Sequence, residues 1–253
     1  MNIRHTKLLN IVNEKKRVAV TELSSLLDVS EVTIRKDLSM LAQMGLLRRE
    51  HGFASMSESD DIGIHLSFNY ETKHRIALRA AETVHSGETI MIESGSCCTL
   101  LAKELARNRS SITIITNSAF IASFIRSSSS VHIILLGGDY QNESEVVVGP
   151  MVKKCLSDFS VNKLFVGIDG FDEGEFMSNN LMRAETIRAM AKHAKSVIVL
   201  TESVKFKKSG VAPLLPLNAI DAVYTDDGIT YEAAQTLNAG NTHVYTVPHE
   251  KDE

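Results

Sequence analysis

Apolar residues in the first 56 positions recur with the spacing of short helices. In HTKLLNIVNEKK, Leu8, Ile11 and Val12 fall on one helical face. RVAV reads as a short extended piece, and TELSSLL as a brief second helix with Leu23, Leu26 and Leu27 at helical spacing. DVS is the turn. Ser30 stands at the N-cap position of a third helix, EVTIRKDLSMLAQMG, whose end is marked by Gly45. On that helix Ile34, Leu38 and Leu41 share one side and so face a core. LLRREHGFAS follows as two short segments around a His-Gly turn signal.

The pattern then changes. SMSESDDIGIHLSFN, Ser55 to Asn69, is polar and acidic at first and carries no sustained period, so it reads as a linker. YETKHRIALRAAETV resumes a helix, with Ile76, Ala80 and Val84 on one side. After it, short β-branched runs alternate with helical stretches. TIMIES, SITIITN, VHIILLGG, KLFVGIDG, SVIVLTE, AIDAVYTD and HVYTV read as strands. CTLLAKELA, SAFIASFIR, GPMVKKCLSDF, AETIRAMAKHA and YEAAQTLN read as helices. Such alternation predicts a parallel sheet with helices on both faces. The expected architecture is α/β: a winged helix-turn-helix over residues 1–56, a linker over 57–73, and a mostly parallel α/β domain over 74–253.

Composition narrows the class. At 43% hydrophobic and 23% charged the chain has the balance of a soluble globular protein. No apolar run approaches the roughly 20 residues that span a bilayer, and the N-terminus lacks the apolar core of a secretory signal. Cys97, Cys98 and Cys155 are too few and too irregular for a disulfide framework. A cytoplasmic protein without a membrane partner is expected. The histidines are scattered, with no pair spaced like a zinc motif, so neither a metal nor a cofactor is expected. Net charge is −4, but the head (residues 1–56) holds nine Lys/Arg against six Asp/Glu, which leaves −7 for the rest. A basic head on an acidic body points to a head that meets polyanions.

The third helix carries chemistry of that kind. Away from its apolar side it presents Val32, Lys36 and Ser39, flanked by Thr33 and Arg35, with Ser30 at its start. Cations can bond guanine edges or phosphates, and Val and Thr can touch a thymine methyl. Arg48, Arg49, His51 and Gly52 in the hairpin could reach phosphates or the minor groove. In the body, polar small residues gather at predicted strand ends: Glu93-Ser94-Gly95-Ser96-Cys97-Cys98-Thr99, Thr116-Asn117-Ser118, Gly137-Gly138-Asp139 and Gly167-Ile168-Asp169-Gly170. Loops of Gly, Ser and Thr opening onto helices suit a phosphate, because free N–H groups converge there. The pattern is neither a nucleotide P-loop nor GxGxxG.

VAVTELSSLLDVSEVTIRKDLSMLAQMGLLRREHGFA resembles the head of the DeoR family of bacterial transcriptional regulators. The matching residues are Glu22-Leu23, Val29-Ser30, Thr33-Ile34-Arg35-Lys36-Asp37-Leu38, Leu41, Gly45, Leu47, Arg49 and His51-Gly52. Lys36 stands where the family usually has a second arginine, and Phe53 where it has a second glycine. The body is similar to the same family's effector domain, whose fold is that of ribose-5-phosphate isomerase and glucosamine-6-phosphate deaminase. Glu93, Gly95, Ser96 and Cys97 match its aspartate-x-Gly-Thr-Thr loop, with Glu93 for the aspartate and Cys97 and Cys98 where threonines are frequent. Thr116-Asn117-Ser118, Gly137-Gly138, Gly149-Pro150, Lys163, Gly167, Asp169-Gly170, Glu185 and Ser203-x-Lys205-Phe206 also match. The resemblance implies an operator-binding regulator controlled by a phosphorylated sugar or sugar alcohol, and because a single short helix discriminates poorly, a homo-oligomer, dimer or tetramer, on repeated half-sites is expected. Its hydroxyls or phosphate would meet Glu93, Asp169, Glu185 and Lys205, with Lys163 and the strand-end loops completing the effector site. Repression relieved by effector is the commoner mode. An isomerase- or deaminase-type enzyme is the alternative, since Asp169, Glu185, Lys163 and Lys205 are the right chemical types. Against it, a sensor fused to a DNA-reading head needs binding without turnover.

Overall fold

A computed structural model describes residues 3–15, 17–43, 47–50, 52–55 and 62–249. The chain divides into two units, Met1–Tyr70 and Glu71–Glu253.

In the first unit, α1 (Ile3–Lys15) leads to β1 (Arg17–Ala19), α2 (Val20–Leu27) and α3 (Glu31–Gln43). β2 (Arg48–Glu50) and β3 (Phe53–Ser55) follow, then α4 (Ile62–Ser67). β3 lies between β1 and β2, antiparallel to both. Leu8, Leu9, Val12, Val18, Leu23, Ile34, Leu38 and Leu41 are fully buried together in one core, with Ile11 and Leu27 partly buried against it, whereas Leu26, expected on the apolar side of α2, is 52% exposed. The turn between α2 and α3 is specific. Asp28 takes a left-handed conformation (φ 49°, ψ 48°) and donates its N–H to Ser24 O. The Ser24 hydroxyl donates to Val29 O at 2.5 Å. Ser30 Oγ then accepts from Thr33 N at 3.3 Å, as an N-cap does. Asp37, 4% exposed on α3, accepts from Arg4 Nε at 2.6 Å and lies 3.1 Å from His5 Nε2, which pins α1 to α3.

The stretch expected as a linker is more structured than its pattern suggested. Residues 57–61 lie outside the described residues, but Ile62–Ser67 is helical and Phe68 is buried in the first unit's core. A six-residue helix is too short to show a period. The expected helix end at Gly45 also lies outside the described residues.

The second unit begins with α5 (Tyr70–Ala81), whose first residue belongs to the first unit. It continues β4 (Thr89–Ile92), α6 (Ser96–Asn108), β5 (Ile112–Thr116), α7 (Ala119–Ile125), β6 (Val131–Leu135), β7 (Asp139–Gln141), β8 (Val146–Val148) and α8 (Pro150–Leu156). Then come β9 (Val161–Val166), β10 (Gly170–Asp172), β11 (Glu175–Ser178), α9 (Leu181–Ala191) and β12 (Ala194–Leu200). β13 (Ala212–Pro213), β14 (Ala222–Asp226), α10 (Tyr231–Ala239) and β15 (His243–Val247) close the unit. Seven strands form one sheet in the order β15-β14-β12-β9-β4-β5-β6, all parallel. The predicted parallel α/β fold is therefore observed. Two small antiparallel sheets, β7-β8 and β10-β11-β13, were not anticipated, because strands of two to four residues carry no readable alternation.

Strand order decides where chemistry can gather. The chain builds outward from β4 through β5 to β6, then returns to the other side of β4 with β9 and continues to β12, β14 and β15. That reversal parts the connections above the carboxyl ends of β4 and β9, the place where open α/β sheets hold ligands.

Candidate functional site

The exposed side of α3 carries the residues expected there. Val32 is 73% exposed, Arg35 and Lys36 are exposed, and Thr33 and Ser39 are half-buried. Arg35 reaches back one turn to Glu31 at 2.5 Å. Ser39 Oγ donates to Arg35 O and accepts from Arg49 at 2.7 Å, which ties the β2-β3 hairpin to α3. Ser30 and Thr33 hydroxyls lie 2.9 Å apart. Arg48 and Lys36 are exposed and make no ion pair among the described residues. Gly52 has φ 73°, a conformation costly for other residues in this turn. His51 lies outside the described residues. Phe53, the departure from the family glycine, is half-buried with the Arg17 guanidinium 3.9 Å above its ring.

In the second unit, Gly95 begins the first turn of α6 with φ 106° and ψ 156°, a region open to glycine alone. A Cβ there would lie 3.9 Å from the Gly167 Cα, so loops from adjacent strand ends run side by side. The first-turn N–H groups of Ser96, Cys97 and Cys98 precede any intrahelical partner and, with the helix dipole, make this end attractive to an anion. Thr99 is committed elsewhere, since its hydroxyl donates to Gly95 O at 2.9 Å.

Charged groups surround this turn. Asp169, beyond β9, accepts from Asn179 N at 2.8 Å and from the Ser178 hydroxyl at 3.2 Å, and lies 4.0 Å from Lys205 Nζ. Burial pushes its carboxyl up, but Arg183, the Asn179 amide and Lys205 together hold it below its ordinary value. Arg183 also donates to Ser94 Oγ at 3.4 Å, and Ser94 donates to the buried Glu93 at 2.5 Å. Lys73 on α5 is 3% exposed and pairs with Glu202 at 3.3 Å. Asp226, at the end of β14, accepts from Ser203 N at 2.7 Å and Ser203 Oγ at 2.5 Å, with His249 Nδ1 at 3.4 Å.

Both cysteines are buried thiols. Burial, with Glu202 adding, pushes Cys97 up to about 12 against the opposing Lys73 and Lys205. Burial and Glu93 raise Cys98 well above its ordinary value. Burial thus favours the protonated thiol at both positions, the less nucleophilic form.

The geometry gathers only part of the expected effector set. Glu93, Gly95, Ser96, Cys97, Asp169 and Lys205 come together, with Cys98 packed beneath. Lys163 does not join them. It sits toward the start of β9, where Nζ donates to Thr83 O at 2.6 Å and to both Glu88 oxygens at 2.9 and 3.0 Å, at the amino end of the sheet. Glu185 is two residues from Arg183 on α9, so it points another way. It pairs with exposed Lys153 at 2.9 Å, and that lysine lowers its pKa. Gly137 and Gly138 follow the edge strand β6. A Cβ on Gly138 would meet Val148 O at 2.5 Å, so that glycine serves hairpin packing. Asn117 donates to Val147 O at 3.1 Å and Ser118 caps α7. Gly170 lies against Lys208 O and Ser209 O, again for close packing.

Lys73, Arg183, Glu202 and Asp226 went unforeseen. Lys73 and Arg183 read as ordinary helix-surface cations. Asp226 carried a signal, an acid at the end of a buried strand, AVYTD.

Comparison with known proteins agrees with both units. Residues 4–60 match the model of the DeoR-like helix-turn-helix domain, and residues 68–227 that of the DeoR C terminal sensor domain. The uncharacterized HTH-type transcriptional regulator YulB of Bacillus subtilis (strain 168) is 30% identical, over 98% of this chain and 97% of its own. The glycerol-3-phosphate regulon repressor of Escherichia coli (strain K12) is also 30% identical, over 88% of this chain and 90% of its own. A solved D-ribose-5-phosphate isomerase in complex with phospho-erythronic acid aligns with 54% of this chain and 53% of its own at 15% identity and a TM-score of 0.41. The two family models cover successive parts of the chain and relatives match along nearly its whole length, so the chain belongs to the DeoR family of transcriptional regulators.

Proposed function

We propose that the chain is a cytoplasmic repressor of carbohydrate-utilisation genes whose hold on operator DNA is controlled by a phosphorylated sugar or sugar alcohol. In this reading α3 enters the major groove. Arg35, Lys36, Val32, Thr33 and Ser39 face bases and phosphates there, Ser30 sits at the helix start, and Arg48, Arg49, His51 and Gly52 belong to a wing along the backbone. A single short helix discriminates poorly, so a dimer or tetramer reads repeated half-sites. The effector lies above β4 and β9, its phosphate on the α6 first turn and Lys205, its hydroxyls on carboxylates such as Asp169 and Glu93. No cofactor takes part.

The observation that carries the effector reading is the α6 N-terminus ringed by Lys205, Arg183 and Lys73 at the sheet's switch point. The name of the glycerol-3-phosphate regulon repressor adds support from a relative. Effector and operator are coupled reciprocally: each weakens the other's binding by the same factor. The test is fluorescence anisotropy of the full chain on its own promoter DNA, with and without a panel of sugar and polyol phosphates. At least one is expected to weaken DNA binding; an affinity unmoved across the panel sinks the switch. Lysine beside carboxylates also favours a second reading, an isomerase or deaminase, and turnover of any panel member would establish it.

A further inference from the structure

The exposed side of α3 runs in two rows. Val32 and Lys36 stand one turn apart in the first, and Lys36 makes no ion pair among the described residues. Glu31, Arg35 and Ser39 stand on successive turns in the second, and these three are linked. Glu31 Oε2 accepts from Arg35 Nη2 at 2.5 Å. The Ser39 hydroxyl donates to Arg35 O at 2.7 Å and accepts from Arg49 Nη1 at 2.7 Å, which secures that turn of α3 to the hairpin. Arg35 thus rises from an anchored turn with a carboxylate holding one end of its guanidinium.

Glu31 is an unexpected group on a surface that meets DNA. The other acid of α3, Asp37, is buried against α1, whereas the Glu31 side chain is 39% exposed beside the protruding Val32. A carboxylate carried toward a polyanion weakens binding to every sequence alike. The helix dipole favours an acid in the first turn wherever it points, so it does not account for this side. The contact with Arg35 does. An unpaired arginine samples many rotamers and loses that freedom on docking. Held at Nη2, the Arg35 fork arrives partly ordered, with its remaining N–H groups open to O6 and N7 of a guanine. In water such an exposed pair contributes little; in a groove from which water is excluded the same contact strengthens.

We propose that Glu31 is a specificity-determining residue of the head. It acts through Arg35 as a positioning residue that aims the fork at one guanine, and its charge weakens the hold on all other sequences. This rests on the operator reading above, with α3 in the major groove.

Footprinting of the full-length protein on its own promoter DNA locates a half-site. Anisotropy then measures affinity for that site, for each single base-pair substitution in it, and for scrambled DNA. Arg35→Lys keeps the charge and loses the fork, so the base pair at which it relaxes discrimination is the one Arg35 reads. Glu31→Ala is expected to relax discrimination at that same pair by about tenfold, within what one bidentate contact contributes, and to leave the other pairs unchanged. It is also expected to bind scrambled DNA more tightly, with a gain that shrinks as salt rises. Glu31→Gln, which keeps an acceptor for Arg35 and loses the charge, is expected to show the same gain and to retain part of the discrimination. Full discrimination at that pair in Glu31→Ala overturns the proposal. So does relaxation spread evenly over the half-site, which is what a merely loosened α3 gives. Scrambled DNA bound no tighter overturns the share assigned to charge. If the unaltered protein prefers no sequence in its promoter, the operator reading itself falls. If it does prefer one but Arg35→Lys relaxes no single pair, the proposal falls alone.

Discussion

Replacing Asp37 by Asn loosens α1 from α3 without touching any residue on the exposed side of α3. Asp37 is buried and accepts from Arg4 through both oxygens, at 2.6 and 3.2 Å, with His5 at 3.1 Å. Hydrogen bonds to charged groups contribute roughly 1.5–3 kcal/mol. Arg4 is 37% exposed, so solvent screens its share. A loss of about 2 kcal/mol follows, which is roughly a thirtyfold rise in opening. The pH dependence has a definite sign. Burial raises the Asp37 carboxyl, but the hydrogen bonds from Arg4 and His5 outweigh it and hold it below its ordinary value. Folding therefore favours the ionised form. The contribution is complete above the unfolded carboxylate pKa and is lost as pH falls through the lower folded value. Amide hydrogen exchange read by mass spectrometry on peptides from α1 and α3 measures it. At pH 7 the variant should exchange about thirtyfold faster in those peptides, and acidification should narrow the gap. Equal protection in the two proteins at pH 7 would refute the reasoning.

Other expectations follow from the same geometry. Arg35→Ala should abolish specific operator binding, whereas Arg48→Ala should weaken binding to all sequences and flatten its salt dependence by about one phosphate's worth; footprinting and anisotropy against salt separate the two. Lys163→Met should lower the second unit's thermal midpoint and leave effector binding intact. Lys205→Ala should do the reverse, and calorimetry with a phosphorylated ligand distinguishes them. Cys97→Ser should retain the effector response, and alkylation of the folded protein should mark half-buried Cys155 before Cys97 or Cys98. Faster labelling of Cys97 would contradict its burial.

Much of the molecule was legible in its residue pattern. Ile34, Leu38 and Leu41 at helical spacing placed one side of α3 in the core, and so placed Arg35, Lys36 and Val32 outside it. Seven β-branched runs separated by helical stretches specified a parallel sheet, because buried strands and crossover helices each have their own period. The glycine at 95 marked a turn that other residues cannot make.

Strand order was not written in those local periods. Periodicity says that a segment is a strand, and not which neighbour it takes; that depends on which helices cover which face. Only the folded sheet put β9 beside β4, which brought Gly167 to Gly95 and sent Lys163 to the opposite end with Glu88. The same packing turned Lys73 and Arg183 inward, although each stands on a helix whose sequence suits solvent. It also set the surroundings of the adjacent cysteines, since burial, with Glu202 beside Cys97 and Glu93 beside Cys98, pushes both thiols up.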